Sequence, residues 1–359
     1  MGLIRLILAL SVVIAHSGSL FGLNLVGGQI AVQAFYIISG FYMALILNEK
    51  YIGINSSYQL FISNRLLRLL PIYWTVLFLT ISASLIVLMY TNGDNFGKLQ
   101  DFKTYFDSMN LASIAFLIFT NIFVVFQDLV MFLGLDTTTG SLFFTPNFNT
   151  TNPKLYWFLL VPQAWTIGLE ITFYFLAPFI VRRKVKYILL LIALSLLIRY
   201  FIYANGYTND PWSYRFFPTE LVFFLFGVIA YHIYKKVNSF KIKKYFLFGI
   251  FIMILVLTVF YSFVNMPYKM LGYFFLFFLG LPFVFILSKK WKVDRYIGEL
   301  SYPVYISHIL IYMIVTFLQI PDFGSESFLL IVATIIFSIA LNEFVAKKVE
   351  RYRQKRLIL

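Results

Sequence analysis

Apolar runs of 18 or more residues recur along this chain, and they restrict its fold more than any other feature. A run of that length crosses the ~30 Å hydrocarbon core of a bilayer as one α-helix. Inside hydrocarbon, backbone N–H and C=O groups find partners only within a helix or a closed barrel. The runs are continuously apolar and do not alternate with period two, so helices are expected and barrel strands are not. Hydrophobic residues make up 61% of the 359 and charged residues only 12%, too thin a charged surface to disperse a soluble domain of this size. The expected fold is an all-α polytopic membrane protein.

Spans are expected at 3–23, 28–47, 71–90, 158–181, 187–204, 215–234, 245–264, 268–288, 301–320 and 327–346. An eleventh apolar stretch, 111–133, contains Thr120, Asn121, Gln127 and Asp128. Lys and Arg cluster at 48–70, 182–186, 235–244, 289–295 and from 347 onward; with Arg5 these hold 23 of the 29 basic residues. Basic loops stay on the cytoplasmic side, which puts the five clusters and the N-terminus inside. With both termini inside, the number of crossings is even, so one of the eleven candidates does not cross. Its polar residues single out 111–133. About ten transmembrane helices remain, both termini are cytoplasmic, and a re-entrant or interfacial helix lies near 111–133 in an outer region 91–157. Residues 1–346 read as a single transmembrane domain and 347–359 as a basic cytoplasmic tail.

The net charge of +14 is then mainly an orientation signal, and no nucleic-acid partner is expected. Arg5, the run Leu6–Ile14 and Ala15 resemble the three regions of a secretory signal, but another span follows within fifteen residues. With no cysteine, disulfides, zinc thiolates and a thiol nucleophile are ruled out. No metal site is expected.

A charged group inside a span costs several kcal/mol and therefore defaults to a functional reading. Arg5 and His16 are eleven positions apart, which closes three helical turns to within about 20° and rises about 16 Å. Both side chains then share one face of the first helix, the arginine near the cytoplasmic mouth and the histidine near mid-membrane. A cation at the entrance and an imidazole at depth suit an anionic substrate arriving from inside. Arg65 and Arg68 share a face at the cytoplasmic end of the third span, with Pro71 suited to its start. As guanidinium forks they suit phosphate; as flanking charges they only orient the helix. Glu170 is expected about 18 Å below the outer end of its span, near the middle of the core. A carboxylate there is protonated or paired with Arg or His. His308 sits a turn or two into the span 301–320, His232 at a cytoplasmic span end, and Arg199, Arg215 and Glu220 at outward-facing span ends.

These pieces occur in a recognisable order. Arg5-x10-His16, FYIISGF at Phe35–Phe41, Arg65-x-x-Arg68 ahead of Pro71, WTIGLEITFYFLAP at Trp165–Pro178 and GELSYPVYISH at Gly298–His308 together resemble the acyltransferase family 3 of membrane O-acyltransferases. The likeness runs from about residue 2 to about residue 345. Phe35-Tyr36 stands where that family usually has Phe-Phe, and Trp165-Thr166 where it has Trp-Ser; threonine keeps the hydroxyl.

The resemblance implies transfer of an acyl group, usually acetyl, from cytoplasmic acetyl-CoA to a hydroxyl of a surface glycan or glycolipid, in a bacterial inner membrane. It implies a catalytic set of His16, Glu170 and Arg5, with Arg65 and Arg68 holding the phosphates of the donor. His16 serves either as general base on the acceptor hydroxyl or as acyl carrier, and Glu170 orients it in the manner of a triad acid. Tyr36, Ser39, Trp165, Thr166 and His308 are expected to line the substrate path. The implied partners are the lipid bilayer and the glycan acceptor; some relatives carry a fused extracytoplasmic domain that these residues do not contain, so either a separate extracytoplasmic partner or none at all is expected. Two other classes compete. A transporter or flippase of lipid-linked sugars shares the many spans but needs no Arg-x10-His pair and binds no coenzyme A. A glycan polymerase calls for a large outer loop bearing catalytic Arg or His, whereas 91–157 has only Lys98, Lys103 and Lys154 as basic groups and no histidine.

Overall fold

Seven helices among the described residues of the computed structural model are long and apolar enough to cross a bilayer, and further apolar helices of 13–16 residues pack among them. The structure describes residues 1–321 and 325–357; the last two residues of the expected tail lie outside it. In chain order the helices are α1 (Gly2–Ser17), α2 (Gly28–Glu49), α3 (Tyr58–Tyr90), α4 (Gln100–Tyr105), α5 (Leu111–Phe123), α6 (Trp165–Ile180), α7 (Val185–Ala204), α8 (Phe217–Val237), α9 (Lys244–Val259), α10 (Lys269–Ser288), α11 (Lys292–Phe317), α12 (Glu326–Leu341) and α13 (Lys347–Lys355). The protein is a multi-pass, helical membrane protein.

Helices in lipid gain little from apolar burial alone, so small residues that let backbones touch decide which pairs form. The most extensive pairing joins α2 to α8. A methyl group added at Gly40 would stand 1.8 Å from the Phe224 carbonyl oxygen, and one at Gly227 2.0 Å from that of Ile37. Helix α1 packs mainly on α11, and also touches α2 and α12. The Asp294 carboxylate near the start of α11 accepts hydrogen bonds from the Gly2 and Leu3 N–H groups at 2.8 and 2.9 Å, capping the start of α1. α1 is thereby buried centrally, with Leu8, Ala9 and Val13 inaccessible. Helix α7 lies outside: Leu190, Leu194, Leu197 and Phe201 form an exposed apolar stripe at helical spacing, suited to lipid.

Several expected boundaries move. Helix α3 begins at Tyr58, well before 71, so Pro71 sits inside the helix and not at its start. The added turns are held by packing: Phe61, Asn64 and Arg65 are buried, and α13 lies against them. Helix α11 likewise begins at Lys292, ahead of 301, whereas α6 begins only at Trp165, after two short 3-10 turns. Helix α1 ends at Ser17, short of 23, followed by Gly18 at φ 93°. The stretch 111–133 holds a helix of only 13 residues, about 20 Å long. It stops where Val124 and Phe126 adopt left-handed φ of 66° and 64°. Buried Asn121 ties its end to the approach of α6: its amide donates to the Phe158 carbonyl at 2.9 Å, and its Oδ1 accepts from the Leu160 N–H at 2.8 Å. One element goes unforeseen in an all-helical reading. β1 (Leu133–Leu135) and β2 (Leu142–Phe144) form an antiparallel hairpin in register Leu133↔Phe144. At its turn Thr138 and Thr139 donate to Asp136, holding that exposed carboxyl down to about 2.

Candidate active site

Five helices converge on one partly open cavity. From α2, Val32, Phe35, Tyr36, Ser39, Tyr42 and Met43 face it, a stripe at the 3.6-residue period. α6 contributes Thr166, Glu170 and Tyr174, spaced by four, and α11 contributes Ser301, Tyr302 and Tyr305. Arg5 of α1 and Arg68 of α3 complete the wall.

The polar groups in this chamber separate by charge. Glu170 Oε1 accepts hydrogen bonds from the Ser39 hydroxyl at 2.6 Å and from the Tyr174 hydroxyl at 2.5 Å. No Arg, Lys or His nitrogen lies within 4.0 Å of Glu170 among the described residues; hydroxyls hold it instead. By the same measure Arg5, Arg65 and Arg68 have no carboxylate partner. The Arg5 guanidinium lies 6.0 Å from the Tyr42 ring centroid. Arg65 and Arg68, read as one clamp, part company: Arg68 faces the cavity, while Arg65 is 5% exposed, outside the lining, with its Nε unpartnered.

His16 is not in this chamber. It stands in the last turn of α1, with its ring centroid 5.2 Å from that of His308 on α11, the planes inclined by 30°. Buried His308 sets its Nδ1 2.6 Å from the Tyr305 carbonyl oxygen, so Nδ1–H donates and Nε2 is left basic and without a partner. Next to Ser17, whose hydroxyl is 2.9 Å from that of Ser327 at the start of α12, the imidazole pair lies at the end of α1 opposite Arg5. Eleven residues of helix therefore part His16 from Arg5, about 16 Å along the axis.

Between chamber and imidazoles runs a buried hydrogen-bonded layer. The Thr166 and Tyr305 hydroxyls are 2.7 Å apart, the Tyr305 hydroxyl lies 2.9 Å from the Gln163 carbonyl oxygen, and Gln163 Nε2 donates to the Ile306 carbonyl at 2.6 Å. Beyond it the Arg215 guanidinium lies 4.2 Å from the Trp165 ring centroid and is held by Asp210 at 2.6 and 2.9 Å.

Of the residues singled out from the sequence, Arg5, Arg68, Glu170, Tyr36, Ser39 and Thr166 share the cavity. Trp165 and His308 do not line it; they stand with Arg215 and His16 outside it. The triad-like pairing of Glu170 with His16 is corrected. Glu170 bonds to Ser39 and Tyr174, and His16 meets His308, because α1 ends six residues earlier than expected and carries its histidine outward. Glu220, expected near a span end, is fully buried and paired with Arg199 at 2.6 Å and with Gln33 at 3.0 Å. Tyr174, Tyr302 and Tyr305 went unnoticed as wall residues; their signal was a place in the same helical motifs as Glu170 and His308.

A helical membrane bundle that holds guanidiniums without carboxylate partners, a hydroxyl-held carboxylate, and a buried imidazole beside an exposed one has the makings of a group-transfer enzyme. The acyltransferase domain of acyltransferase family 3 matches residues 1–343. The chain belongs to that family, and the protein is a membrane acyltransferase. It is also 29% identical over 220 residues to an uncharacterized protein of Aquifex aeolicus (strain VF5), a match that covers 57% of this chain and 93% of that protein. No solved structure matches.

Proposed function

We propose that the enzyme takes an acetyl group from acetyl-CoA on the cytoplasmic side and delivers it to a hydroxyl of a cell-surface glycan or glycolipid on the outer side of a bacterial inner membrane. In this reading α1, α2, α3, α6, α7, α8, α9, α10, α11 and α12 are ten spans, both termini are inside, and α5 does not cross. The carrying observation is the order of groups along α1: Arg5 opens on the cavity near one end of the helix and His16 meets His308 at the other.

The residues present fit the donor. Arg5 and Arg68, without carboxylate partners, suit its phosphates, and they share the chamber into which its thioester arm would extend. His16, with its ring beside that of His308, is the base for the acceptor hydroxyl or the first acyl acceptor. As base, it takes the hydroxyl proton while the oxygen attacks the thioester carbonyl; the C–S bond breaks and the thiolate leaves, taking a proton. As carrier, its ring nitrogen first displaces the thiolate, and the hydroxyl then displaces the imidazole. Glu170 serves the donor side of the reaction with Ser39 and Tyr174 and does not orient His16.

The test is sidedness. Acetyl-labelled acetyl-CoA is supplied to inside-out and to right-side-out vesicles carrying the protein, and the glycan and lipid fractions are extracted. Label should enter them from inside-out vesicles only. Equal transfer in both orientations, or none with either, contradicts the proposal.

A further inference from the structure

The basic tail is part of the molecule's interior architecture. After α12 the chain makes a π turn at Asn342–Ala346, a local widening of the helix of a kind that often marks functional sites. It continues as α13, which packs on the cytoplasmic start of α3. There Arg353, 6% exposed, donates from Nε to the Asn64 carbonyl at 2.7 Å and pairs through Nη1 with Glu350. Arg356 donates to Asn64 Oδ1 at 3.0 Å and to Ser63 Oγ at 2.8 Å, and the Leu357 carbonyl accepts from Asn55 at 2.9 Å.

This docking draws a third guanidinium toward a place that already holds two. Arg65 follows Asn64 directly, and Arg68 lies one turn further on. Arg353 is pushed down to about 10 by its burial and then by the charges of Arg65 and Arg68. Buried like charges repel, and Glu350 alone does not offset three guanidiniums. Two buried donors here also lack partners: Nε of Arg65, and Nδ2 of Asn64, which is fully inaccessible. A tetrahedral oxyanion supplies what is missing, negative charge and several acceptor atoms in a small volume.

We propose that α13 closes the cytoplasmic end of α3 into a phosphate-binding site, with Arg353 joining Arg65 around one phosphate group, one turn from the Arg68 that faces the cavity. It rests on the reading of a phosphate-bearing acyl donor that enters from this side. The same chemistry is offered by the terminal 3′-phosphate of that donor or by an anionic lipid headgroup.

The full-length protein separates these sources. Affinity is measured for coenzyme A and for its analogue lacking the 3′-phosphate, with native protein, Arg353→Gln and Arg353→Lys. The same proteins are melted in nanodiscs of phosphatidylcholine with and without phosphatidylglycerol. For a donor-phosphate site, Arg353→Gln weakens coenzyme A about tenfold, one charge-assisted contact. Arg353→Lys is weakened less, and the truncated analogue moves less than twofold, which also shows that the variant folds. If Arg353→Gln instead leaves coenzyme A unchanged but loses the thermal stabilisation that phosphatidylglycerol gives the native protein, the site holds and its occupant is a lipid. Equal weakening of both nucleotides assigns Arg353 a structural role and overturns the proposal. So does a variant that matches native protein in every arm, while native binding of coenzyme A leaves the donor reading intact. If native protein binds neither nucleotide, the donor reading fails and the lipid arm alone decides the tail site.

Discussion

The buried pair behind the cavity wall gives the sharpest energetic prediction. Glu220 on α8 is inaccessible; it accepts from Arg199 Nη2 at 2.6 Å and from the Gln33 amide of α2, one turn before Tyr36 of the chamber. Arg199 also donates to the Thr219 and Ser213 carbonyls at 2.9 and 3.1 Å. Arg199→Ala leaves a carboxylate buried without its counter-charge, which costs about 3–5 kcal/mol. At ~2.1 cal/mol/K per residue, a chain of 359 residues has an unfolding entropy of about 0.75 kcal/mol/K, so the midpoint should fall by about 4–7 °C. Replacing both partners with apolar groups, Arg199→Met with Glu220→Leu, removes the unpaired charge and should recover most of that loss. The assay is thermal unfolding of the purified protein in one fixed detergent, with all variants at equal concentration. A single variant within a degree of native, or a double variant no better than the single, would refute the argument that Arg199 offsets the burial of Glu220.

Three further outcomes are expected. Gly40→Ala forces α2 and α8 apart, since the new methyl would overlap the Phe224 carbonyl, and should cost about 1–3 kcal/mol in the same melt; an unchanged midpoint would mean that the helices do not touch there. Ser39→Ala and Tyr174→Phe each take one hydroxyl from the same oxygen of Glu170, so their effects on kcat/KM should couple by about 0.5–3 kcal/mol in a double-mutant cycle. Additive losses would show that the two hydroxyls do not act through Glu170. Arg68→Ala should raise KM for the donor by about ten- to a hundredfold, the equivalent of about 1.5–3 kcal/mol for a charged contact; a fall in kcat alone would move Arg68 from binding to chemistry.

The parts of this architecture that a chain's own residues specify were readable in advance. Apolar length locates membrane helices wherever they fold, and one helical face brings Tyr36, Ser39 and Tyr42 together whatever packs opposite. Arg5, Arg68, Glu170 and Thr166, from three different helices of the bundle, also line one cavity, although Arg5 and Arg68 were expected at the cytoplasmic mouth and Glu170 near the middle of the core. What failed was axial position. A helix continues past an apolar run when something packs on the extension, and α3 continues back to Tyr58 because Arg353 and Arg356 from the far end of the chain grip Asn64 and Ser63. Nothing local to 58–70 announces that partner. Depth estimates inherit the error: with α1 ending at Ser17, His16 moves outward, away from Glu170 and against His308. The separation of Arg65 from Arg68 has the same origin, since i,i+3 spacing gives a common face but not what each side chain meets there.

The central claim is that acyl transfer runs through His16 while the donor is held elsewhere, in the chamber of Arg5 and Arg68. The direct measurement supplies acetyl-labelled acetyl-CoA to membranes carrying native protein or His16→Ala, and follows label in glycan, lipid and protein beside coenzyme A affinity. The account predicts that His16→Ala abolishes label in the acceptor while affinity for coenzyme A stays within about threefold, because no part of the cavity is changed. Label that accumulates on native protein and vanishes with His16→Ala would identify the carrier route. Transfer that persists in His16→Ala contradicts the account, and so does a loss of transfer that comes with an equal loss of donor binding.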